Sequence, residues 1–84
     1  MKEKNWCVYV VECLDGSYYT GITNDVEKRM EAHKSGKGSK YVLSRGFGKL
    51  ISYRKCANKS DALKTEYAVK QLSKNKKLKL FEQE

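Results

Sequence analysis

An α+β fold with the element order β-β-α-β-α-α is what these 84 residues predict, and three observations carry it. A run of β-branched and aromatic residues, Asn5 to Cys13, is apolar on both of its period-2 faces; an Asp-Gly pair follows at hairpin distance; and two later stretches begin with capping residues and continue with helical spacing. A chain of this length reads as one domain, residues 1–84, and a domain this small buries only about 60% of its unfolded surface.

In the first strand Trp6, Val8 and Val10 share one face and Cys7, Tyr9, Val11 and Cys13 the other, which suggests a central strand covered on both sides. Asp15-Gly16 tolerates the positive φ of a tight turn, and Tyr18 to Thr23 returns as the second strand. Gly21 interrupts that strand, the mark of a bulge or a close approach by a ligand phosphate or a crossing helix. Asn24, with Glu27 three residues on, predicts an N-cap and capping box. The helix runs to about Ser35 and stops at Gly36. Its inward stripe is Val26, Arg29, Met30 and His33, with Ala32 alongside. Half of that stripe is polar, which an ordinary core-facing helix avoids.

Residues 34–48 combine glycines with Lys34, Lys37, Lys40 and Arg45 and read as a mobile loop with room for a helical turn at Tyr41 to Ser44. Such a loop suits a phosphate backbone, with Tyr41 free to stack on a base; a plain solvated connection has the same composition. Lys49 to Cys56 reads as the third strand. Ser60 is expected to cap a helix from Asp61 to Leu72 that turns Ala62, Leu63, Val69 and Leu72 to the core, with Glu66 beside Leu63 and Tyr67, away from the outer face. Ser73 to Phe81 is expected to form a short basic helix resting on Leu78, Leu80 or Phe81.

The formal net charge is +8, unevenly spread: residues 1–33 carry net −2 and residues 34–84 net +10. Such a balance points to an anionic partner, nucleic acid before others and DNA before RNA, against the alternative of a merely soluble basic surface. No segment has the length and apolarity of a membrane span, and the N-terminus lacks a signal-peptide pattern, so the expected location is cytoplasmic. Three cysteines, Cys7, Cys13 and Cys56, form no C-x-x-C pair and read as reduced strand residues; a metal set of these three with His33 lacks the paired spacing of structural zinc sites.

Arg29 and His33 stand four apart on one helix face, and Tyr19 on the preceding strand can point at the same space. If Tyr9 and Glu66 join them, the set contains what phosphodiester hydrolysis needs: a phosphate clamp in Arg29, proton carriers in tyrosine and histidine, and a hard oxygen ligand for Mg²⁺ or Mn²⁺ in Glu66.

At these residues the chain resembles a known family. Cys7-Val8-Tyr9, nine residues, then Tyr19-Thr20-Gly21, followed by Arg29, His33 and a distant helical Glu66, is similar to the GIY-YIG nucleases, and closest to the small bacterial members called UPF0213. The similarity extends through Gly36-Lys37-Gly38-Ser39-Lys40-Tyr41 and from Glu66 to Ser73. It implies a three-stranded antiparallel sheet flanked by helices, one divalent metal held by Glu66, and hydrolysis at the sheet face. One of Tyr9 and Tyr19 would activate water, Arg29 would contact phosphate, and His33 would assist with protons or phosphate. Cys7 and Thr20 replace a Gly and an Ile of the two motifs without touching the tyrosines. Asn75 is the one residue offered for an asparagine that some relatives place near the metal. With no separate targeting domain, target choice would fall to the lysine-bearing loop and tail or to a protein partner. The other functional classes kept open are a catalytically weak nucleic-acid-binding module and a protein-interaction domain.

Overall fold

The computed structural model describes residues 5–72. Its elements are β1 (Cys7–Cys13), β2 (Tyr18–Thr23), α1 (Val26–Lys34), α2 (Lys40–Arg45), β3 (Phe47–Lys55) and α3 (Lys59–Lys70). The class is α+β, as expected, with a short helix α2 where the sequence allowed a helical turn. The expected tail helix, Ser73 to Phe81, and Asn75 within it lie outside the described residues. No helix among the described residues is long and apolar enough to cross a membrane.

The three strands form one antiparallel sheet in the order β2-β1-β3. The two-faced apolar pattern of β1 puts it at the centre. On one side Val8 and Val10 pack with Ala62 and Val69 of α3; on the other Tyr9, Val11 and Cys13 pack with Met30 of α1 and Val42 of α2. Each face thus acquires its own small core, and burial of these side chains is the main stabilising term for so short a chain. Register breaks between Val10 and Val11 and between Glu12 and Cys13 in the β1–β3 pairing let Ile51 serve the α3 core while Leu50 serves the other.

Several local expectations are corrected. The α1 cap is Asp25, one residue beyond Asn24: its Oδ1 accepts the Lys28 N–H at 3.1 Å, and the Thr23 hydroxyl accepts the Asp25 N–H at 3.0 Å. Glu27 still occupies the first turn, where a carboxylate suits the helix dipole, and the helix ends before Gly36 at φ 82°. The α3 cap is Asn58, not Ser60. Asn58 Oδ1 accepts the Asp61 N–H at 2.8 Å, while Asp61 Oδ2 accepts the Ala57 N–H at 2.9 Å, so two orphan donors are satisfied together. Leu63 does not reach the core but is 47% exposed. The loop 34–48 is better ordered than its glycines suggest, because Ser39 caps α2 and Val42 is fully buried. The third strand begins two residues early, at Phe47.

Candidate active site

Tyr9 is the centre on which the site is built. It pairs across the sheet with Gly21, and its ring lies over that glycine: a Cβ there would stand 2.6 Å from the Tyr9 hydroxyl. The close approach at Gly21 therefore belongs to a tyrosine of the neighbouring strand, not to a phosphate or a crossing helix. Tyr9 is 1% exposed, and its Oη is hydrogen-bonded to His33 Nε2 at 2.8 Å. His33 reaches it from the last turn of α1, 2% exposed, stacked parallel to Phe47 with ring centroids 6.1 Å apart.

Tyr19, half-buried on β2, meets the His33 ring edge-on at 5.8 Å and the Tyr9 ring at 6.3 Å. On its outer side it meets Tyr41 of α2 at 5.7 Å. Arg29, one turn before His33, is half-buried, and its Nη1 donates a long hydrogen bond of 3.4 Å to the Gly38 carbonyl. Glu66 comes from α3 with its side chain 19% exposed and Lys70 Nζ 3.5 Å away. Glu66 shares its helix face with the buried Ala62 and Val69, at i−4 and i+3, and not with Leu63 and Tyr67, both exposed.

The electrostatics tie these groups together. Burial, with Tyr19 next, pushes the Tyr9 hydroxyl well above its ordinary range; the Arg29 charge pulls it down and the Glu66 charge pushes it up. Arg29 and Glu66 thus both act on the Tyr9 hydroxyl, which stays protonated at neutral pH. Burial, then the Arg29 charge, holds His33 below its ordinary value of 6.5, so its ring is neutral at pH 7. The sign for stability follows: at acid pH the unfolded chain takes up a proton that the folded ring resists. The stability from His33 is present above about pH 6.5 and lost as pH falls below it. We expect the melting temperature to fall between pH 7.5 and 5.5, and to fall less in His33→Gln; parallel slopes in a thermal-melt series would refute this.

Of the five residues proposed from the sequence, Tyr9, Tyr19 and His33 are in mutual contact and Arg29 stands one turn before His33. Glu66 comes from α3, which packs on the other face of the sheet, and reaches Tyr9 only through its charge. No hollow formed by the described residues is lined by all five. The rings of Tyr9, Tyr19, His33 and Tyr41 fill the space a pocket would occupy. A broad groove of about 1050 Å³ lies between α1 and β3, lined in part by Asp25, Glu27, Met30, Leu50 and Tyr53, and contains none of the five. His33 lines a smaller hollow with Val42, Gly46 and Phe47. Of the loop residues, Lys34, Lys37 and Lys40 are exposed and Tyr41 is 37% exposed. Arg45 is engaged already: its Nη1 donates to Asp15 Oδ2 at 2.7 Å and its guanidinium lies 4.4 Å over the Tyr41 ring. Phe47 and Gly38, both against His33, were not singled out from the sequence; their contacts depend on the path of the connection, which no periodicity reveals.

A three-stranded antiparallel sheet with a buried Tyr–His pair beside a guanidinium defines the class of domain, a small α+β fold built around that pair, and similarity to known proteins gives it a family. The family model described as the GIY-YIG catalytic domain matches residues 5–79, and the chain belongs to that family. A UPF0213 protein of Oceanobacillus iheyensis is 45% identical over 82 residues, covering 98% of this chain and 94% of its own. A UPF0213 protein of Halalkalibacterium halodurans is 47% identical over 76 residues, covering 90% and 81%. The solution NMR structure of the UPF0213 protein BH0048 from Bacillus halodurans superposes with a TM-score of 0.54 at 48% identity, over 90% of this chain and 81% of that one.

Proposed function

We propose that this chain is a divalent-metal-dependent endonuclease that hydrolyses phosphodiester bonds of nucleic acid, DNA in preference to RNA, acting in the cytoplasm as one domain over residues 1–84. The observation that carries the reading is the Tyr9–His33 hydrogen bond of 2.8 Å, with the Tyr19 ring against His33 at 5.8 Å and Arg29 one helical turn before it. Arg29 clamps the non-bridging oxygens of the scissile phosphate. Neutral His33 is buried with Nε2 on the Tyr9 hydroxyl, so the proton it accepts reaches it through the tyrosine hydroxyls. Tyr19, the more open of the two tyrosines, faces the substrate, whereas Tyr9 is buried and protonated and holds His33 in place. Glu66 would hold the metal as a single half-buried carboxylate, a hard oxygen of the kind Mg²⁺ or Mn²⁺ takes while keeping several waters, on exchanging its Lys70 contact for the ion. The metal would supply Lewis-acid stabilisation of the developing charge. Lys34, Lys37, Lys40 and Tyr41 hold the strand beyond the cleavage point, and Arg45 joins them only on exchanging Asp15 for a phosphate. A protein partner supplies any further targeting.

A second reading, a nucleic-acid-binding module without turnover, is favoured by the burial of Tyr9 and His33 at 1% and 2% exposure. The test is cleavage of branched, single-stranded and duplex DNA and of RNA in Mg²⁺ or Mn²⁺, with Arg29→Ala beside wild type. Turnover that falls about 10²-fold or more in Arg29→Ala supports the first reading. Salt-sensitive binding with no cleavage by wild type supports the second, and no binding to any of the four leaves a protein-interaction domain.

A further inference from the structure

We propose that Gly38 is a positioning residue of this site, its bare Cα seating the His33 ring and its carbonyl holding the Arg29 guanidinium. The inference rests on the reading of Arg29 and His33 given above and adds to it a residue that touches both.

The backbone after α1 folds back on the helix end, where the Lys37 and Gly38 N–H groups donate to the Ala32 carbonyl at 2.8 and 3.1 Å. This lays Gly38 directly against His33. A Cβ on Gly38 would stand 2.5 Å from Nδ1, 2.8 Å from Cε1 and 2.9 Å from Cγ of that ring. Backbone conformation is not what demands glycine here, since the glycines with positive φ are Gly16, Gly36 and Gly46. An alanine at position 38 is excluded by space alone.

Nor is the ring free to retreat. Phe47 stacks on it at 6.1 Å with the planes 2° apart, Tyr19 meets it edge-on at 5.8 Å, and Tyr9 holds Nε2 at 2.8 Å. Its Nδ1 is buried and finds no hydrogen-bond partner among the described residues, so against them that side of the ring is seated by contact only. From the same residue, the carbonyl accepts Arg29 Nη1 at 3.4 Å. Arg29 and His33 sit one turn apart on α1, and Gly38 braces both, so displacing it moves the phosphate clamp and the proton carrier together.

His33 is the sole histidine of the chain, so its ring signals are unambiguous. Gly38→Ala in the full-length protein is expected to shift the ¹⁵N and ring-proton resonances of His33. It should also lower kcat about a hundred-fold, with a smaller change in KM, as a displacement of about 1 Å does. Adding Gly38→Ala to His33→Ala, where the ring is gone, should change kcat less than about twofold, since residues that act through one contact do not add. Unchanged His33 resonances in Gly38→Ala, or an equal loss of kcat in the His33→Ala background, would overturn the proposal. Should Gly38→Ala alone not fold, a folded His33→Ala/Gly38→Ala double variant supports it, and two unfolded proteins overturn it. A wild type that cleaves nothing defeats the nuclease reading, while the His33 resonances still decide the role of Gly38.

Discussion

Replacing Glu66 with alanine is expected to lower the cleavage rate by about 10²–10³-fold, the loss typical when one group aimed at transition-state charge is removed. Glu66 is the carboxylate whose charge acts on the Tyr9 hydroxyl, so no neighbour on the same helix face replaces it. Stability should change little. The Lys70 contact at 3.5 Å is an i,i+4 pair with Lys70 half-exposed, and such pairs contribute only about 0.3–0.5 kcal/mol. Rate and stability therefore separate in this variant. The measurement is single-turnover cleavage beside a thermal melt, with Glu66→Gln as a second variant that keeps the shape and removes the charge. Full activity in both would reject the metal-holding role and with it the mechanism proposed for this site.

Which parts of this arrangement could be read from the chain follows from how local each cause is. The strands β1 and β2 appear where alternation and the Asp-Gly turn place them, because both signals act within a few residues. Helix ends shifted by one or two positions, since Asn24 and Asp25, or Asn58 and Ser60, are all competent caps. The winner depends on reciprocal bonds, such as Asp61 to the Ala57 N–H, that only the folded backbone reveals. The helix α2 was legible only as room for a turn at Tyr41 to Ser44, because its neighbours are glycines and lysines; what orders it is Val42 reaching the core under β1, a long-range contact.

For the site, the helical spacing of Arg29 and His33 and the strand position of Tyr19 were enough to gather three groups. Glu66 was placed inward for an incomplete reason: its companions on the inner face are Ala62 and Val69, while Leu63 and Tyr67, the neighbours expected for it, are exposed. A single pocket did not form, because four aromatic rings pack where it would lie. Gly38 stood only inside the Gly36 to Tyr41 similarity, with no role attached, and Phe47 was unmarked, since a close approach between a loop and a buried ring leaves no period in the sequence.

The two tyrosines differ in burial, and their phenylalanine variants should differ in kind. Tyr9→Phe keeps the ring over Gly21 but removes the hydroxyl from His33 Nε2, in a ring whose Nδ1 already lacks a partner. A buried polar atom stripped of its bond costs about 1–3 kcal/mol. In a domain of this size each kcal/mol lowers Tm by about 4–8 °C. The variant should therefore melt lower and, with His33 no longer held, cleave more slowly. Tyr19→Phe touches a half-buried ring held by stacking, so its Tm should stay within a few degrees of wild type while turnover falls. If instead Tyr9→Phe is as stable as wild type and Tyr19→Phe is fully active, the division of labour is wrong. Tyr9 would then be the group that meets the reacting water, and its burial would have to be relieved when substrate binds.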